Sequence, residues 1–331
     1  MPAFRAFRIH QDHGRIAARF DTLSLDDLAA GEVVVKVGYS TINFKDALAA
    51  TGAGKILRRY PLVAGIDLAG TVVDSSDPAV SVGQKVVVTG CGLSETHDGG
   101  YAEYARVKRD WVVPIPENLD EYQCMALGTA GYTAALAIHR MEHNGQRPEN
   151  GEIVVTGATG GVGSLAIDML AGRGYRTVAV TGKQSAEAYL QQLGAARVLL
   201  RDTINLGSRP LEEAQWAGAI DNVGGELLAW LTRTMNFWGN IASIGMAGSG
   251  ELKGTVFPFI LRGVNLLGIN SVYTPRAERL AVWQRLATDL KPRHLDRIVT
   301  KTIAFDALPT AFDDYLKGAV TGRTVVRIGA N

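Results

Sequence analysis

Four glycines, Gly157, Gly160, Gly161 and Gly163, stand in the seam of VVTGATGGVGSLAIDML, between an apolar run and a run with helical spacing. Glycine in such a seam lets the chain turn tightly, lets backbone N–H groups come close to an anion, and lets a helix pack hard against a strand. The helix N-terminus adds the positive end of its dipole. The predicted chemistry is the grip of a diphosphate by Ala158, Thr159, Gly160, Gly161 and Val162. The context carries this reading, because EIVVT leads directly into the glycines and SLAIDMLAGR directly out of them. A flexible strand-to-helix joint is the alternative.

An Asp or Glu about 20 residues past such a loop would bind the ribose hydroxyl of NAD. Here the next apolar run ends in Thr181, Gly182 and Lys183, and the one after it in Arg201. No carboxylate repels a 2′-phosphate, while a hydroxyl, an ammonium and a guanidinium suit it, so NADPH is favoured over NADH. Ligands of open α/β sheets lie beyond the carboxyl ends of the strands. Asp221 to Gly224, with Asn222 and Val223 between them, and Ser243 to Gly248 would then flank the nicotinamide half.

Two other chemistries fail on spacing. Proton transfer by a Tyr and Lys four apart needs that pair downstream of the glycine loop, but Tyr104 and Lys108 precede it in a β-like stretch. Zinc catalysis needs Cys or His ligands. Cys91 with His97 has no recognised ligand spacing, and His139 with His143 lacks the neighbouring Glu of HExxH. Catalysis without a metal is expected.

The elements that must position these groups are legible in outline. Up to about residue 115 short β-branched runs such as EVVVKVGYS and QKVVVTG break at Gly, Pro and Asp, as in a compact, mostly β domain. A helical pair follows, with Asp120 as N-cap and Gly145 as stop. From 153 six apolar strands, EIVVTG, TVAVTG, ARVLLRD, AGAIDNVG, NIASIG and VNLLGIN, alternate with helices, which predicts buried strands in a doubly wound parallel sheet. The closing GRTVVRI is read as a strand returning to the first domain.

A length of 331 residues suits two domains. With 34 basic against 33 acidic residues, nothing points to nucleic acid. Two cysteines fit a reducing compartment, and neither a signal peptide nor an apolar span of membrane length is apparent, so a cytoplasmic protein without membrane contact is expected.

NFKDALAATG (43–52), GIDLAGTV (65–72), GGYAEYARV (99–107) and LGTAGYTA (127–134) resemble motifs of the medium-chain dehydrogenase/reductases, quinone oxidoreductase-like class, over nearly the whole chain. GKILRRYPLVAGIDLAGTV, RPLEEAQWAGAIDNVG and PFILRGVNLLGINSV resemble its acrylyl-CoA reductase branch. The resemblance implies an α/β protein with a GroES-like catalytic domain over 1–124, a Rossmann NADP-binding domain over 125–270 and a return segment over 271–331. It implies NADPH-dependent reduction of acryloyl-CoA to propanoyl-CoA by a homodimer joined along an edge strand such as VNLLGINSV. Positions that hold zinc ligands in alcohol dehydrogenases carry Asn43 and Ile66 here. Cofactor roles carry over to Phe44, the Ala158–Gly161 turn, Thr181–Lys183, Arg201, Ala247, Ile260 and Ser271.

In that reaction charge develops on the thioester oxygen. Asn43 is the candidate donor to it, with a hydrogen-bonded turn residue as the alternative. Lys45 and Asp46 are read as a structural network, and Lys55, Arg58 and Arg59 as either a site for CoA phosphates or a solvated turn. Quinone and alkenal reduction, or NADPH binding without turnover, stand as other functions of the same scaffold.

Overall fold

The computed structural model describes residues 3–329. The chain forms two compact units, Met1–Ala130 with Val272–Ala287 and Val299–Asn331, and Gly131–Ser271 with Thr288–Ile298.

In the first unit β1 (Phe4–Asp12) pairs antiparallel with β2 (Arg15–Leu23) and β4 (Leu62–Val63). The larger sheet begins with β3 (Val33–Ile42), whose Val33, Val35 and Val37 are at most 1% exposed and enter one core with Phe7, Leu68 and Val88. Beside it lie β5 (Asp67–Ser75), β6 (Lys85–Thr89), β7 (Tyr104–Val107) and β8 (Val113–Pro114). The predicted return is present: Arg323–Arg327 pairs antiparallel with β3, Thr324 opposite Ile42. Helix α1 (Phe44–Thr51) starts directly after β3, with Asn43 as its cap.

Helix α2 (Glu121–His143) carries the chain onward. Asp120 caps it reciprocally with Gln123, the amide of each donating to the other's side chain, and Gly145 ends it at φ +82°. The element is a helical pair in fact, because Gly128 breaks it at φ 52°, ψ −158°.

The second unit is a six-stranded parallel sheet of β9 (Ile153–Thr156), β10 (Thr177–Thr181), β11 (Ala195–Leu200), β12 (Trp216–Asp221), β13 (Met235–Ser243) and β14 (Asn265–Gly268). Their order in space is β11-β10-β9-β12-β13-β14. The chain enters mid-sheet, walks out to one edge, then returns to β12 and walks to the other, so the crevice of a doubly wound fold opens between β9 and β12. Strands β9, β10 and β12 are buried along their whole length, as continuous apolar runs require. The expected burial of all six strands needs correction at both edges. β11 and β14 are largely half-buried or exposed, since each has a neighbour on one side only.

The return segment differs from the expected 271–331 block in one respect. Thr288–Ile298 packs with the nucleotide unit, where the buried Asp168 of α3 (Gly161–Gly172) accepts hydrogen bonds from Arg293 N (2.7 Å), His294 N (3.1 Å) and His294 Nδ1 (2.7 Å). Among the described residues no helix is long and apolar enough to cross a membrane.

Candidate active site

β9 ends at Thr156 and the chain turns at Gly157, whose φ of +59° disfavours any residue with a side chain. Gly160 caps α3: its N–H donates to Gly157 O at 3.0 Å, and its carbonyl accepts from Ser164 N at 2.9 Å. A Cβ on Gly163 would lie 2.4 Å from Gly157 O and 2.8 Å from Ala158 Cα, so turn and helix touch through backbone alone. Gly161, Val162 and Gly163 fill the first turn of α3, where N–H groups have no partner within the helix and the dipole is positive. Ala158 N is different. It donates to Val180 O at 3.1 Å, which makes Ala158 a wall of the turn.

The carboxyl ends of the neighbouring strands close round this turn. Buried Asp221 accepts from Thr156 Oγ1 at 2.6 Å and from Gly224 N at 2.9 Å, and burial holds its carboxyl above the usual range. Asn222 Nδ2 donates to Thr156 O at 2.8 Å, while Asn222 Oδ1 is a buried acceptor with no hydrogen-bond partner. Val223 O accepts from Gly248 N at 2.8 Å, which brings the loop carrying the exposed Ala247 to the same end of the sheet. At the end of β10 Lys183 N donates to Thr181 Oγ1 at 3.0 Å. A Cβ on Gly182 would meet the Arg201 guanidinium at 3.4 Å, so the cations of two adjacent strands flank one glycine. Burial lowers the Lys183 pKa. Arg201 is also paired with Asp202, Nε to Oδ1, at 2.8 Å.

These features fit a dinucleotide carrying a 2′-phosphate. The cradle has no room for side-chain atoms, an orphaned acceptor sits at Asn222, and the cations stand where a carboxylate would select NAD. Ile260 is 72% exposed on the helix Phe257–Arg262, and Ser271 is half-buried at the end of its stretch.

In the first unit Asn43 sits in a closed cluster, as its alternative reading as a hydrogen-bonded turn residue requires. Its Nδ2 donates to Asp46 Oδ2 (3.1 Å) and Asp67 Oδ2 (2.8 Å), and its Oδ1 accepts from Arg323 Nη1 (3.1 Å). Both amide hydrogens are thus taken up by carboxylates. Asn43 is a positioning residue that fixes the start of α1, and with it Phe44, which is 46% exposed as the first helical residue. Asp46 also accepts from Asn43 N and Ile66 N. Burial, and then the charge of Asp67, push Asp46 up to about 7, against those donors. Asp67, likewise raised by burial, accepts from Thr129 N and Thr129 Oγ1. Arg323 further donates to Thr41 Oγ1 (2.7 Å) and Ala126 O (3.1 Å). Asp67, Thr129 and Arg323 stand out in no motif of the sequence, since no local spacing joins them. Lys45 ion-pairs with Glu95 rather than entering the cluster.

Among the described residues no three of His, Cys, Asp and Glu gather as metal ligands. Asn43 has its amide engaged and Ile66 has no donor atom in its side chain, so these positions do not fit a zinc ion.

The chain matches the alcohol dehydrogenase GroES-like domain over residues 29–117 and the zinc-binding dehydrogenase domain over residues 161–288. It is 48% identical to the acrylyl-CoA reductase AcuI of Ruegeria pomeroyi, over 99% of this chain and 100% of that protein. The YhdH protein of Escherichia coli K-12, crystallised with bound NADPH, superposes with a TM-score of 0.94 at 47% identity, covering 98% of this chain and 100% of that one. The yhfP protein of Bacillus subtilis, crystallised with NAD, superposes with a TM-score of 0.96 at 46% identity, covering 99% and 100%.

Proposed function

The chain belongs to the medium-chain dehydrogenase/reductase superfamily, in the branch of the acrylyl-CoA reductases, and from that membership we propose that it reduces acryloyl-CoA to propanoyl-CoA with NADPH. The observation that carries the cofactor choice is the pair of cations, Lys183 and Arg201, set about Gly182 with no carboxylate at the end of β10.

Bound NADPH would supply the hydride for the electron-poor C=C bond of the thioester. The first turn of α3 would hold its diphosphate, Thr181, Lys183 and Arg201 would hold the 2′-phosphate, and Asn222, Val223 and Ala247 would border the nicotinamide half. Phe44, at the start of α1 directly after Asn43, is assigned to the cofactor by resemblance. Ile260 and Ser271 remain assigned to the cofactor by resemblance. The β-carbon would gain that hydride and the α-carbon a proton, giving propanoyl-CoA and NADP+ with the enzyme itself unchanged. Residues 1–124 and 271–331 make the catalytic domain in this reading, apart from Thr288–Ile298, which packs with the nucleotide domain of 125–270.

The protein acts as a cytoplasmic homodimer. β14 is an edge strand, and Phe237, Trp238, Ile260, Leu261 and Leu266 expose apolar surface on β13, β14 and the helix Phe257–Arg262, which suits a second copy of the chain. NADPH oxidation, followed at its near-ultraviolet absorbance, tests the reaction: acryloyl-CoA should be turned over well ahead of crotonyl-CoA and a benzoquinone. A quinone consumed faster than either thioester would replace this reading with a quinone reductase.

A further inference from the structure

A second group of cations lies in the first unit. Lys55, Arg58 and Arg59 are all exposed on the segment after α1. That segment is not a loose loop: Leu57 is 3% exposed and enters the core, with Ile56 and Tyr60 packed against it. It is also laced to the stretch Gly92–Asp98. Arg58 N donates to Glu95 O at 2.8 Å, and Arg59 Nε donates to Thr96 O at 3.1 Å.

The charges around this seam do not balance. Glu95 is engaged by Lys45. Asp98 directs its carboxylate inward, accepting from Val63 N at 2.9 Å and Ala29 N at 2.8 Å, so Arg59 reaches it only at 3.9 Å. Among the described residues neither Lys55 nor Arg58 has an ion-pair partner. Three exposed cations within five residues of an anchored segment raise the local positive potential, which attracts an anionic ligand.

We propose that Lys55, Arg58 and Arg59 form a subsite for the phosphorylated nucleotide end of CoA. This rests on the acyl-CoA reading above and extends it to named residues. A diphosphate and a ribose 3′-phosphate need several cations, and guanidinium groups meet phosphate oxygens with paired hydrogen bonds. The NADPH phosphates have their own cations in the other unit, so this group is available for a different polyanion. The segment continues from the helix that begins with Phe44, which ties the phosphate end and the reacting end of one substrate to a single stretch of chain, residues 44–59.

The double variant Lys55→Gln with Arg58→Gln tests the subsite against two substrates, acryloyl-CoA and the acrylic thioester of N-acetylcysteamine, which lacks the nucleotide. The ratio of their KM values should rise roughly tenfold or more in the variant. A ratio equal to that of the wild type overturns the proposal. Calorimetry with CoA alone separates this result from failure of the functional reading. Should the wild type reduce neither thioester, CoA binding that weakens in the variant while NADPH affinity holds still supports the subsite, and equal CoA affinity in both proteins refutes it.

Discussion

The glycine turn of the nucleotide unit and the carboxylate cluster of the β-rich unit keep their shapes by opposite means. The turn is backbone against backbone, Gly163 on Gly157 and Ala158, within a few residues of sequence. The cluster is side chain against side chain, and its Asn43 and Arg323 are 280 residues apart. A site of the first kind is sensitive to any added atom. One of the second kind is sensitive to any lost partner, because each buried charge depends on the others.

Removing a partner should give the largest effect. Arg323→Leu takes away the guanidinium that faces Asn43 and Asp67, and should lower stability by about 3–5 kcal/mol in urea unfolding. A loss below about 1 kcal/mol would erase the contrast, since the carboxylates would then be held without it. Adding atoms should come next. Gly163→Val places carbon where Gly157 O lies at 2.4 Å, and NADPH affinity by fluorescence titration should fall by about 100-fold, roughly 2.7 kcal/mol. If affinity holds, the turn yields and is not the rigid cradle described.

Lys183→Glu sharpens the comparison within the nucleotide unit. It leaves the backbone cradle untouched and should raise the KM for NADPH about tenfold more than that for NADH. An unchanged preference removes Lys183 from the 2′-phosphate site. The smallest effect should be the pH response of Asp46. Its pKa is raised from 3.8 to about 7 in the folded protein, so the native state binds the proton more tightly than the unfolded chain. The stability this gives is complete below the unfolded value and is lost as pH rises through about 7. Asp46→Asn should therefore unfold with a shallower decline between pH 5 and 8 than the wild type. Parallel curves would show that Asp46 stays ionised throughout, held by its N–H donors.

The same contrast explains what the sequence makes legible. The turn at Gly157 to Gly163, the strand end at Thr181 to Lys183 and the six strands alternating with helices follow from periodicity and from turn chemistry, which act over a few residues. The exposure of β11 and β14 follows from their places at the sheet edges, which periodicity does not encode. Asn43 looks like a free amide in NFKD. Only the fold brings Asp67, Thr129 and Arg323 round it, through β5, the Gly128 break and the returning strand. Arg201 falls between the two cases: it closes a strand legibly, but its approach to Gly182 depends on β10 and β11 lying side by side.

Asp168 carries a practical consequence for modular engineering. Its carboxylate lies under α3 and depends on donors from Arg293 and His294, well past the point where the sheet is complete. A coding sequence truncated after Ser271 would strip that anion of its donors. Grafting the coenzyme module onto another catalytic half therefore requires Thr288–Ile298 to travel with it, although the two pieces are separate in the gene.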